Sequence, residues 1–191
     1  MRRARFASFV VLPLGAVLLG SISTRLEPVS LTALDLRPLE GRFFFDGEPY
    51  TGIAELRFPN GERRELVAFR RGRREGRRVR WFVDGTMAYR GYFRDGKPEG
   101  RSETWWRSGT KRSESRYRDG VTHGVQRRWY ANGALFKELR YVNGREQGLQ
   151  RAWRRNGKLF ANYEARDGRV YGLKRANLCF QLRDEEIDDE P

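Results

Sequence analysis

From Gly52 to Gly172 the chain repeats every 24 residues without a slip, and no other feature restricts its fold as much. Glycine marks three columns in this register. The first holds Gly52, Gly76, Gly100, Gly124, Gly148 and Gly172. The second holds Gly61, Gly85, Gly109, Gly133 and Gly157, and the third Gly72, Gly96, Gly120, Gly144 and Gly168. Trp81, Trp105, Trp129 and Trp153 form an aromatic column, each five residues after a first-column glycine. Units of one design in a row make an elongated array rather than a globular enzyme around a central pocket.

The unit Gly124–Gln147 shows what each repeat builds. Val125–Ala131 is rich in β-formers, Asn132–Gly133 is a hairpin turn in which both residues tolerate positive φ, and Leu135–Val142 returns as a second strand. Asn143–Gly144 then turns the chain toward the next unit. Glycine recurs too often for any long helix in this region. The expected fold is all-β: a single-layer antiparallel meander of 24-residue hairpins.

Strand alternation assigns the two faces. Equivalent strands lie about 10 Å apart, so the four tryptophans need intervening side chains to form a buried spine. Phe69, Phe93, Tyr117 and Tyr141 on the return strands are the expected spacers. Phe58, Phe82, Trp106 and Tyr130 directly follow the tryptophan column and belong to the opposite face, with Arg78, Arg80 and Arg128. One layer cannot bury both faces, so this aromatic and arginine surface is the expected binding face.

Charge and the chain ends set the domain plan. Arg2, Arg3 and Arg5 precede an apolar run, Phe6–Leu19, closed by small residues, which reads as a signal peptide or amino-terminal anchor over residues 1–23. Residues 24–40, with Pro28 and Pro38, read as a linker, and 41–182 as the array, with Leu178–Leu182 as a closing strand. Residues 183–191 read as an acidic disordered tail containing Asp184, Glu185, Glu186, Asp188, Asp189 and Glu190. The chain nevertheless carries a net charge of +14, so the array itself is strongly basic.

The pattern of Gly124, Trp129, Tyr130, Gly133, Tyr141 and Gly144 resembles the MORN-repeat variant. The segment Gly47–Gly52 (GEPYTG) is similar to the start of bacterial YwqK-type antitoxins. The first resemblance implies a lipid-binding or protein-scaffolding module, and the second implies neutralisation of a toxin by direct binding.

Catalytic chemistry finds no foothold. His123 is the sole histidine and sits in a turn segment, where exposure to solvent is expected. Cys179 is the sole cysteine, which removes intrachain disulfides and metal-ligand spacing alike. No glycine sequence opens a helix as a phosphate-binding loop does. The expectation is a non-enzyme without cofactor, metal or small-molecule substrate. It is exported to the periplasm or cell envelope and binds anionic lipid, envelope polymer or an acidic protein. Nucleic acid is the third partner class, favoured by charge and disfavoured by export.

Overall fold

The computed structural model describes residues 27–173. The export segment, the closing strand Leu178–Leu182 and the acidic tail therefore lie outside the described residues. Strand β1 (Val29–Ser30) leads through a 3-10 turn, Leu31–Ala33, to β2 (Asp35–Arg37), β3 (Arg42–Phe45) and β4 (Glu48–Pro49). The array begins with β5 (Gly52–Arg57), β6 (Arg63–Arg70), β7 (Arg73–Trp81), β8 (Met87–Arg94), β9 (Lys97–Trp105) and β10 (Lys111–Arg118). It continues through β11 (Val121–Thr122), β12 (Gly124–Trp129), β13 (Leu135–Val142) and β14 (Arg145–Glu146). The last strands described are β15 (Gly148–Trp153), β16 (Leu159–Arg166) and β17 (Arg169–Leu173). From β5 to β17 the main strands neighbour one another in chain order, antiparallel throughout, as one open meander; β11 and β14 pair only with β10 and β13. Among the described residues there is no α-helix.

Each glycine column has its own geometric task. The third column completes two-residue loops with both central residues at positive φ, as in Asp95 (49°) and Gly96 (82°), the type I′ geometry that matches strand twist. The second column differs from the sequence expectation. There only the glycine is at positive φ, and Asn60, Asp84, Asn132 and Asn156 instead accept a hydrogen bond through the side chain from the amide two residues on. Each such turn is followed by a bulge, for example where Trp81 faces Met87 but Arg80 faces Tyr89. At the first column the ladder slips again, as around Gly100 (φ 69°).

The slip near Gly148 leaves Arg140, which pairs with Val125 in β12, without a ladder partner in β15, and Gln150 fills the gap. Its fully buried amide accepts from the Arg140 N–H and donates to the Arg140 carbonyl, both at 2.9 Å. A buried polar side chain is stable here because its hydrogen bonds are made.

The third-column loops also stand on one another. The amides of Gly72, Gly96, Gly120 and Gly144 donate to the carbonyls of Tyr50, Arg74, Pro98 and Thr122, one unit back, at 2.7–3.0 Å. A Cβ added at Gly120 would lie 3.2 Å from the Lys97 Cβ, so glycine is required there by both φ and space.

The apolar core sits at the amino-terminal end. Ala54, Val67 and Phe69 are buried beneath Leu31, Leu34, Phe43 and Tyr50. The segment expected to be a linker thus contributes a cap: β1 pairs in parallel with β5, and β2, β3 and β4 form a separate three-stranded sheet. Residues 41–51, expected as the start of the array, belong to that cap rather than to the meander. Covering the first unit hides an edge strand that would otherwise present unpaired backbone groups.

The tryptophan spine needs correction. Phe69, Phe93, Tyr117 and Tyr141 lie across from Gly52, Gly76, Gly100 and Gly124, at the far end of the strands from the tryptophans. Trp81, Trp105, Trp129 and Trp153 are only half-buried. Cations occupy the intervening space: Arg63 over Trp81, Arg90 over Trp105 and Lys111 over Trp129, at 5.6–5.9 Å from the ring centres. The antiparallel register dictates this, because a residue five positions after the glycine cannot meet one opposite the glycine itself.

Three substitutions test this geometry. Gly120→Ala costs about 2–3 kcal/mol, whereas Gly157→Ala, at similar φ but with open space around it, costs about 1–2 kcal/mol. Equal shifts in urea midpoint would refute the loop-on-loop contact. Trp129→Ala costs about 1–2 kcal/mol, well below the loss for a buried tryptophan, because only part of its surface and one cation contact are removed; a loss above about 3 kcal/mol would restore the buried spine.

Candidate functional site

The second-column turns line up along one edge of the sheet and shape its most distinctive surface. After each tryptophan the chain enters the turn with Phe58, Phe82, Trp106 or Tyr130, whose amide closes the bulged loop (Phe82 N–H to Thr86 O, 2.8 Å). These rings reach toward the next unit. The Trp106 Nε1–H donates to the Trp129 carbonyl at 3.2 Å, and the Tyr130 hydroxyl donates to the Trp153 carbonyl at 2.9 Å.

Two adjoining hollows run along this edge, of about 670 and 550 Å³, and share Arg80, Phe82, Trp105, Trp106 and Arg112, so the tryptophan column borders them too. Phe58 and Arg64 extend the first; Thr104, Ser113, Arg128 and Phe136 extend the second. Cross-strand pairing explains why these residues converge. Arg80, Tyr89, Thr104, Ser113, Arg128 and Lys137 are successive partners in one row, so their side chains share a face.

Of the residues that the sequence nominated for binding, Phe58, Arg80, Phe82, Trp106 and Arg128 line these hollows. Tyr130 stands one unit further on, its ring centre 4.8 Å from that of Phe136. Arg78 does not join them: its Nε donates to the buried Glu65 carboxylate at 2.8 Å, and its guanidinium lies over Tyr89. Arg64, Arg112 and Phe136 were not nominated. They fall three residues after second-column glycines, at the bulge, and a turn assumed to be bulge-free puts that column on the wrong face.

The two faces differ in how their charges are neutralised. On the tryptophan face the acids sit between bases. Glu55 pairs with Arg57 and Arg63, and Glu138 with Arg127 and Arg151. Glu103, with 5% of its side chain exposed, is held by Arg90 at 2.6 Å and by Arg101 and Lys111 at 2.8 Å. In the hollows Arg64, Arg112 and Arg128 have no carboxylate partner among the described residues. Arg64 and Arg112 lie over the Phe58 and Trp106 rings, at 5.6 and 4.4 Å. A guanidinium stacked on a ring keeps its N–H edge free to bind oxyanions.

Burial pushes the Glu103 carboxyl up, but hydrogen bonds from Lys111 and Arg90 and the charges of Lys111 and Arg101 outweigh it and hold the pKa at about 2. Glu55 and Glu138 are shifted down through the same balance of burial against paired arginines. His123, expected to be exposed, is half-buried, and its Nδ1 has no hydrogen-bond partner.

Residues 122–143 match the family described as MORN repeat variant. The match covers the hairpin of β12 and β13, so one unit of the array carries the MORN-type signature, and the same glycine and tryptophan register recurs in its neighbours. No curated protein matches the chain.

The Glu103 cluster makes stability depend on acid. Its carboxyl ionises at about 2 in the fold against an ordinary 4.5. Its contribution is therefore full above about pH 4.5 and disappears as the pH falls toward 2. Glu103→Gln lowers stability at pH 7 by about 1–3 kcal/mol and flattens the acid limb of the stability curve. Parallel acid limbs for the two proteins in urea titrations would show that the cluster is not coupled to folding.

Proposed function

We propose that the chain is a non-enzymatic binding scaffold whose turn-edge groove engages an anionic surface, a membrane leaflet or envelope polymer. One observation carries this reading: Arg64, Arg112 and Arg128 lack carboxylate partners among the described residues while lining hollows walled by Phe58, Phe82 and Trp106. Aromatic rings beside cations suit the boundary between headgroups and hydrocarbon. Repetition presents several such contacts in a line, which adds weak ionic terms into useful affinity. A MORN-type unit supports a scaffold role, and the basic and apolar sequence of residues 1–23 supports an envelope location.

A second reading is a protein partner with an acidic surface, the toxin-neutralising role among the possibilities. It is favoured by the residue types in the groove, since tryptophan, tyrosine and arginine dominate interface hot spots.

Flotation with vesicles of phosphatidylcholine and phosphatidylglycerol separates the two. Replacing Arg112 and Arg128 together with Gln should weaken vesicle binding at low salt by about 2 kcal/mol, roughly thirtyfold. Raising the ionic strength should erase the difference. Vesicle binding that ignores both substitutions would reject the groove as the lipid-facing surface and leave the protein-partner reading.

A further inference from the structure

We propose that the acidic run Asp184–Glu190 of this same chain docks onto Arg112, Arg128 and Arg155, so that the protein shields its own groove. The inference rests on reading that groove as an anion-binding surface.

Three observations support it. The first is where the described chain ends. Strand β17 starts at the loop shared with β16, where Arg169 faces Arg166, and runs toward the turn edge that bears the groove. Leu173 pairs with Asn162, which pairs with Arg151, which pairs with Glu138, which pairs with Arg127. The described chain therefore ends in the row beside that of Arg128, with β17 running toward the edge that bears the groove.

The second is reach. Four strand spacings separate β17 from β12, and five separate it from β10, or about 19 and 24 Å. Residues 174–183 span at most about 33–36 Å, so the acidic run reaches Arg128 and Arg112 with slack. Arg155, over the Tyr130 ring at 5.7 Å, lies along the way.

The third is charge. Six carboxylates lie within seven positions, opposite guanidiniums without carboxylate partners among the described residues. The acids of the tryptophan face already serve their own arginines, which leaves the groove cations to other anions. A short tether presents such a run at about millimolar effective concentration, enough to occupy a weak ionic site.

The test compares the full chain with a variant in which the six acids are amidated by substitution (D184N, E185Q, E186Q, D188N, D189N, E190Q). Side-chain Nε–Hε resonances of Arg112, Arg128 and Arg155 report docking directly. Anionic vesicle binding reports its consequence. At about 20 mM salt the three resonances should differ between the proteins, and the variant should bind vesicles about tenfold more tightly. Both differences should vanish at about 0.5 M salt. Unchanged groove resonances, or changes confined to Arg145, Arg166 and Arg169 on the opposite edge, would overturn the inference. If the groove resonances change but neither protein binds vesicles, docking stands and the membrane reading fails. If both proteins bind vesicles equally with unchanged resonances, the membrane reading stands and docking fails.

Discussion

Stacking of the hairpin loops on one another is the contact on which the array depends. Gly72, Gly96, Gly120 and Gly144 each donate the amide to a carbonyl one unit back, and at Gly72 and Gly120 an added Cβ would crowd that contact. With little apolar core beyond the amino-terminal cap, a single sheet has few other means of holding neighbouring units at fixed spacing. Bulges at the other two glycine columns bend and twist the strands, and a twisted sheet is what brings successive loops together. A 24-residue period is thus a statement about three backbone positions per unit, with side chains filling the spaces those positions create.

Charge then divides the molecule. Glu55, Glu103 and Glu138 are each flanked by two or three bases, which ties adjacent strands together and uses up the local charge. Such pairs are worth most where the acid is shielded from water, as Glu103 is, and little where both partners are exposed. On the turn edge the arrangement differs: Arg80 and Arg107 have Glu65 and Asp84 beside them, whereas Arg64, Arg112 and Arg128 have no carboxylate partner among the described residues. The sheet thus combines neutralised bases that tie its strands together with bases on the turn edge that have no carboxylate partner among the described residues.

Much of the fold was legible in the residues. Glycine spacing defined the units, and Asp–Gly and Asn–Gly pairs marked both sets of turns; strand alternation alone did not show that Trp81 and Trp105 border the same hollow as Phe82 and Trp106. The errors share one origin. Asn132–Gly133 and Asn143–Gly144 look alike as dipeptides, yet only the second has both residues at positive φ. The bulge after the first moves one residue per unit, so Arg64, Arg112 and Phe136 joined the groove unannounced. Similarly, Arg78 alternates in phase with Arg80 but is drawn to Glu65, a partner thirteen residues away that no local pattern reveals.

What the sequence determined by itself was the period, the hairpin and the sign of the charge, because each follows from local backbone preference and composition. What only the tertiary structure decided was which aromatics meet and which arginines remain available. Those outcomes depend on cross-strand register, and register is set jointly by two bulges per unit and by the contact between loops of successive units. A shift of one residue reverses the face of every side chain that follows, so the candidate binding surface is a property of the assembled sheet rather than of any one repeat.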